Sequence, residues 1–140
     1  MQRKMPKLDI LVAVDNLKAF HKANMKANKT DYTYLARMTH GLPVTFFQTK
    51  GARVHFNHTQ LELPQSKEQI KIRYGVVEYA DMLRDMRNWE TMVTSTFMQR
   101  PHEVLICADE QVRQEIHEAQ EKNLTSAFAF AALTAPRAQI

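Results

Sequence analysis

The sequence predicts a mixed α/β (α+β) fold, and three observations carry that prediction. Residues 8–14 form a continuous, β-branched apolar run, the pattern of a buried strand. Residues 70–74 alternate strictly between apolar and polar, the period of a half-exposed strand. Between and beyond these runs, apolar residues recur at three- and four-residue spacing, as in helices laid on a sheet. The implied order is β-α-α-β-β-β-α-β-α-α, within one domain over 1–140.

Each element has its own local signal. Asp15 or Asn16 can cap a helix in which Leu17, Phe20, His21, Asn24, Met25 and Asn28 share one face. Lys18, Lys22, Lys26 and Lys29 occupy the other face. A second short helix is expected over 31–39, with Tyr32, Leu35 and Met38 inward and Gly41 and Pro43 ending it. Residues 52–57 predict a strand, and 60–63 a segment that pairs with it. Pro64-Gln65-Ser66 is a turn. Tyr79, Met82, Leu83, Met86 and Trp89 mark an amphipathic helix, with Asp81, Arg84, Asp85 and Arg87 outward. Further helical turns run to about Met98, and Pro101 stops them. A short buried strand is expected over 104–108. Asp109 then caps an acidic helix through about Lys122, followed by a separate, largely buried Ala- and Phe-rich helix over 123–135.

Composition narrows the function classes. The chain has 140 residues, 44% hydrophobic and 24% charged, enough to bury a core. Its one cysteine, Cys107, excludes an internal disulfide framework and a Cys-rich zinc site, and is expected as an inert hydrophobe. There is no transmembrane segment in the sequence: no apolar run is long enough to cross a bilayer. The first residues lack the apolar core of a secretory signal, although Arg3, Lys4 and Lys7 suit the remnant of a basic presequence. Charge is uneven: residues 1–74 carry 13 Lys/Arg against 5 Asp/Glu, and residues 75–140 carry 6 against 10. A basic half of this kind suits an anionic lipid such as cardiolipin, RNA, or an acidic protein surface, or is a solvated face with no partner.

Six segments together resemble the Tam41/Mmp37 family of mitochondrial phosphatidate cytidylyltransferases. Residues 9–16 are similar to that family's strand ahead of a "VDDP" turn. Phe20-His21, Asn24-Met25, Asn28 and Asp31-Tyr32 follow its "WHxxNLxxNxxHYS" segment. Residues 51–57 resemble "GAGVYYN", and residues 72–77 resemble "IKYGVI". Leu83, Asp85, Trp89, Gln99 and Pro101 match "LxxDLxxWxxLYxAGRxQKP", and residues 123–127 resemble "NLKSA". The resemblance implies a nucleotidyltransferase-like mixed sheet flanked by helices, here expected to be incomplete at both ends. It also implies transfer of CMP from CTP to phosphatidate with Mg²⁺, giving CDP-diacylglycerol for cardiolipin synthesis. The location implied is mitochondrial, on the matrix side and associated with the inner membrane.

The departures from the family pattern fall on the chemistry. A Gly-Ser phosphate loop is expected ahead of 8–14, and no Gly or Ser stands there. An Asp-x-Asp metal pair is expected on the strand, but Leu11 follows Asp9 at that spacing. The family's "HYS" histidine is Asp31, its "IKYG" lysine is Arg73, the second Gly of "GAG" is Arg53, and "AGR" is Ser95-Thr96-Phe97. The expectation is therefore a non-catalytic accessory subunit of a mitochondrial complex, such as a respiratory complex, ATP synthase or mitoribosome, with no cofactor. The alternative is an active or split cytidylyltransferase using Mg²⁺ and CTP, with Asp9, His21 and Arg73 as catalytic residues and Asp9 as the metal ligand. A small nucleotide- or phospholipid-binding module is a third option. His21 is also readable as a satisfied core histidine, and His55 and His58 fall on opposite strand faces. Trp89 and the methionines 38, 82, 86, 92 and 98 are expected in the core. A partner interface is expected at the strand edge (Leu8, Ile10, Val12) and on the last helix (Phe128, Phe130, Leu133), with other protein subunits covering both.

Overall fold

The computed structural model describes residues 6–39 and 42–135, the side chains of 42 and 43 excepted. The chain divides into two compact units, Met1–Tyr79 and Ala80–Ile140.

The first unit is a three-stranded mixed sheet with helices. Its elements are β1 (Lys7–Val14), α1 (Leu17–Ala27), a 3₁₀ turn (Lys29–Asp31), α2 (Tyr34–Met38), α3 (Leu42–Lys50), β2 (Val54–Glu62) and β3 (Gln69–Glu78). The sheet order is β1-β3-β2. The central β3 runs parallel to β1, from Lys7↔Lys71 to Val14↔Glu78, and antiparallel to β2, from Val54↔Val77 to Glu62↔Gln69. A parallel pair needs a long crossover, which the helices and β2 supply, whereas the antiparallel pair closes through a short hairpin. That hairpin is the expected Pro64 turn, pinned by Leu63 N–H to the Glu68 carbonyl at 2.9 Å.

β1 is an edge strand, half-buried rather than buried as its apolar run predicts. Only Ile10, Leu11, Val12 and Val14 are partly covered, while Lys7, Leu8, Asp9 and Ala13 are exposed. β2 is one strand, so 60–63 does not fold back on 52–57; the ladder to β3 runs unbroken through Glu62. α1 follows its prediction. The Asn16 side chain accepts from the Ala19 N–H at 2.9 Å, Leu17, His21 and Met25 are buried, and Lys18, Lys22 and Lys26 are exposed.

The next segment corrects the expected helix over 31–39. Tyr32 is buried, but it precedes the helix, because Thr33 caps α2 by accepting from the Ala36 N–H. That start turns Ala36 inward and leaves Leu35 and Met38 exposed. Gly41 and the Pro43 side chain lie outside the described residues. α3 was not predicted. Its run LPVTFFQTK has no clean apolar face, and Pro43 falls in the first turn, where its missing N–H leaves no bond unmade. Met25, Tyr32 and Ala36 pack with Val44 into one cluster.

The second unit holds α4 (Tyr79–Asn88), α5 (Val93–Met98) and α6 (Glu110–Thr134). Met82, Leu83, Met86 and Met98 are buried as expected, Trp89 is half-buried, and Met92 is exposed. Asp85, expected outward, is only 3% exposed. One carboxylate oxygen accepts from the backbone N–H groups of Thr91 and Met92, at 2.6 and 2.9 Å. The other accepts from Thr94 and Ser95, at 2.9 and 3.0 Å. Thr94 and Ser95 are orphan donors in the first turn of α5, and Thr91 and Met92 lead into it, so Asp85 ties down the start of that helix.

The expected strand over 104–108 is absent; Leu105 and Ile106 are 75% and 92% exposed. A strand needs a neighbour for its backbone groups, and among the described residues the second unit has none. Cys107 is therefore a half-buried loop residue, with its Sγ 3.4 Å from the Asp109 carbonyl. Asp109 caps α6 by accepting from Val112. α6 continues as a single helix where two were expected, since neither Gly nor Pro interrupts it. Its last turns are exposed, not buried. Asn123 holds α6 in place: its amide donates to the Ser95 carbonyl at 2.9 Å and its oxygen accepts from the Trp89 indole at 2.9 Å.

Burial pushes the Asp85 carboxyl up, but the N–H donors of Ser95, Thr91 and Met92 outweigh it and hold the group below the usual carboxylate range. Its stabilising effect is thus complete above about pH 4 and is lost as pH falls through the lowered folded value. Asp85→Ala leaves four donors without their acceptor and should cost about 2–4 kcal/mol. Urea unfolding followed by Trp89 fluorescence checks this; a loss below about 0.5 kcal/mol would contradict it.

Candidate functional site

Directly paired residues of neighbouring strands point to the same side of a sheet. One face therefore presents Ile10 and Val12 of β1, Tyr74 and Val76 of β3, and His55 and Asn57 of β2. The other presents Lys7 and Asp9, Lys71 and Arg73, and His58 and Gln60. His55 and His58 are on opposite faces, as their spacing predicts.

The first face carries a buried polar network. His21 on α1 is 1% exposed. Its Nε2 lies 3.0 Å from Gln48 Oε1, and its Nδ1 lies 3.0 Å from the Tyr32 hydroxyl. The Gln48 amide nitrogen donates to the carbonyls of Arg53 and Val76, at 3.0 and 2.8 Å. Gln48 Oε1 is thus the acceptor, so Nε2 carries the His21 proton and Nδ1 accepts from Tyr32. Asn24, one turn along α1, donates to the hydroxyls of Tyr32 and Tyr74, both at 2.9 Å. Tyr74 in turn donates to Asp31 at 2.6 Å. His55 stands edge-on to His21 at 5.4 Å between centroids, and its Nε2 is 3.1 Å from Asn57 Oδ1.

Every charge state in this network follows from burial and its partners. Burial lowers the His21 pKa against the opposing pull of Gln48. Burial also lowers His55, helped by the neighbouring His21 and opposed by Asn57. Tyr74 is raised, first by burial and then by its bond to Asp31, and Tyr32 is raised chiefly by burial. The downward shifts favour neutral His21 and His55 rings, and the upward shifts favour neutral Tyr32 and Tyr74 hydroxyls. His21 is then a satisfied core residue, with both ring nitrogens engaged and no exposed edge from which to touch a nucleotide.

The second face holds the other two candidates. Asp9 and Arg73 are cross-strand neighbours and form a two-pronged ion pair, Nε to Oδ1 at 2.9 Å and Nη2 to Oδ2 at 2.8 Å. The guanidinium also sits 5.2 Å over the Phe56 ring. Gly75 makes room for that ring: a Cβ there would meet Phe56 Cε1 at 2.7 Å and Val54 Cγ1 at 3.1 Å. Lys7 and Lys71 lie directly opposite each other beside this pair, and like charges so placed repel. All four line an open groove of about 760 Å³ together with His58. Thr30 and Asp31 also line it, so three Lys/Arg stand against two carboxylates there.

Two of the three candidate catalytic residues are thus brought together and the third is buried on the opposite face. The donor set does not fit Mg²⁺. Among the described residues no three His, Cys, Asp or Glu side chains group in a way that could hold a metal, and both Asp9 oxygens are on Arg73. Leu8, Ile10 and Val12 lie on the edge strand, and Leu8 is exposed. Phe128, Phe130 and Leu133 are exposed on α6, with Phe130 edge-on to Trp89. Sequence reasoning missed Gln48, because α3 itself was unforeseen. The signal available was His21 and Asn24 on an inner helix face, two polar groups that had to find partners.

Because both histidine shifts are downward, the unfolded chain takes up more protons than the folded one as pH falls below about 6.5. The first unit should lose stability over that window, and NMR titration of the rings should give His21 and His55 midpoints below 6.5; a value above it for either contradicts the network. Gly75→Ala displaces Phe56 and should cost about 1–3 kcal/mol, read from urea unfolding followed by circular dichroism. An unchanged midpoint would mean that the ring has room to move.

Comparison with known proteins identifies the family. A family described as "Phosphatidate cytidylyltransferase, mitochondrial" matches residues 1–139. The mitochondrial phosphatidate cytidylyltransferase of Dictyostelium discoideum is 33% identical over 136 residues, covering 96% of this chain and 30% of that protein. The Schizosaccharomyces pombe protein of the same name is 29% identical over 127 residues, covering 91% of this chain and 30% of its own length. The Rattus norvegicus protein is 29% identical over 131 residues, covering 94% and 36%. The chain spans about a third of the length of these curated relatives. It belongs to the Tam41/Mmp37 family of mitochondrial phosphatidate cytidylyltransferases.

Proposed function

We propose that this chain is a non-catalytic scaffold module of the Tam41/Mmp37 family, working as an accessory subunit of a mitochondrial protein assembly. The observation that carries this reading is the Asp9–Arg73 ion pair. The strand carboxylate placed for metal binding is held by two charge-assisted bonds. The exposed apolar end of α6 and the edge of β1 support an assembly, because both are surfaces that a partner can cover.

A second reading is an active or split cytidylyltransferase, in which Asp9 serves the metal and the missing phosphate loop is supplied by another chain. The family match along residues 1–139 favours it, as do the cations Lys7, Lys71 and Arg73 along the groove.

Turnover of CTP and phosphatidate to CDP-diacylglycerol with Mg²⁺, measured on the chain and on Asp9→Asn, separates the two. The scaffold reading expects no product from either. Product from the chain that disappears with Asp9→Asn would establish the enzyme and overturn the scaffold.

A further inference from the structure

We infer that the outer face of the helical layer on the first unit, α1 to α3, is a docking surface for an anionic phospholipid bilayer. The inference is independent of whether the chain catalyses.

α1 and α3 both pack on the same face of the sheet: His21 and Asn24 of α1 and Gln48 of α3 all reach groups at or beside β3. Their outward faces therefore point the same way, away from the strands. α2 joins the layer through Ala36. Five large apolar side chains stand out from α2 and α3: Tyr34 69% exposed, Leu35 65%, Met38 63%, Phe46 60% and Phe47 71%. A shallow cleft of about 340 Å³, lined by Leu35, Ala36, Val44 and Phe47, opens between the two helices. Scattered exposed apolar residues need no explanation, but a cluster of this size marks an interaction surface.

Charge selects the occupant. Lys18, Lys22 and Lys26 line the exposed side of α1, followed by Lys29. On α2, Arg37 lies 5.9 Å from the Tyr34 ring centre, and Lys50 ends α3. Across residues 17–50 six Lys/Arg face a single acid, Asp31, and that acid is held by Tyr74. No Asp or Glu occurs anywhere from residue 32 through 61. Aromatic and aliphatic side chains flanked by uncompensated cations match an interface where acyl chains lie below a negative headgroup layer. An RNA surface would use the cations but leave Leu35, Met38 and the two phenylalanines without a role.

The test is flotation of the full chain with vesicles of phosphatidylcholine, with and without phosphatidylglycerol. Phosphatidylglycerol is anionic and is not the phosphatidate of the turnover assay, so the two experiments fail separately. Binding is expected only to the anionic vesicles and should weaken as salt rises. Phe46→Ser with Phe47→Ser, and separately Lys22→Glu with Lys26→Glu, should each lower the partition coefficient about tenfold or more. Phe128→Ser with Leu133→Ser on α6 should leave it unchanged. All substituted side chains are exposed, and circular dichroism checks that each variant is folded. Three results would overturn the inference. These are equal binding to neutral vesicles, loss of binding through the α6 variant alone, and no vesicle binding with self-association abolished by the α3 variant.

Discussion

The fold of the first unit depends on one constraint: a polar group enclosed between helix and sheet is costly unless it is partnered there, and of the described buried side-chain atoms on that face only the Asn57 amide nitrogen has no hydrogen bond. His21 is where that constraint is met. Its two nitrogens join Tyr32, which precedes α2, to Gln48 on α3. Gln48 then spans to the carbonyls of Arg53 and Val76, tying the helical layer to the central strand and to the entry of β2. Removing one acceptor would leave several donors unsatisfied in sequence. The helical layer is therefore positioned by hydrogen-bond geometry as well as by the small apolar cluster of Met25, Tyr32, Ala36 and Val44.

Much of this architecture was legible in the sequence where a single periodic signal governed the element. α1 and α4 followed their spacing, and Asn16 and Asp109 capped the helices they were expected to cap. Pattern places β1 and β3, although pattern alone does not show that among the described residues β1 has a neighbour on one side only. The misses share a physical cause, which is that tertiary contacts decided them. The run over 104–108 has strand propensity but no strand beside it. α3 lacks an apolar face, and it buries an amide where a hydrophobe was sought. Asp85 sits one position before Met86 on α4, so an outward position was a reasonable expectation; the bare helix end at α5 draws it inward.

The site was legible in part. Asp9 and Arg73 were named separately from a motif resemblance, and only the parallel register shows that they are cross-strand partners. His21 is open to two readings, and the geometry adds that both of its nitrogens have protein partners. Side-chain burial on an amphipathic helix says that a histidine faces inward, but not whether its partners are protein or ligand.

The electrostatics of the second face bear on what can bind there. Lys7, Lys71 and Arg73 line the groove with two carboxylates, Asp9 paired to Arg73 and Asp31 held by Tyr74. A divalent cation entering this groove would have to break two charge-assisted bonds from Arg73 to free the carboxylate. It would then sit beside three positive side chains, with Asp31, already held by Tyr74, as the groove's other carboxylate. An anion meets the reverse situation, relieving the repulsion between the opposed lysines without disturbing the Asp9–Arg73 pair. The same basic bias that leaves α1 ringed with lysines therefore governs the sheet. Three Lys/Arg stand against two carboxylates in the groove, and six against one along residues 17–50.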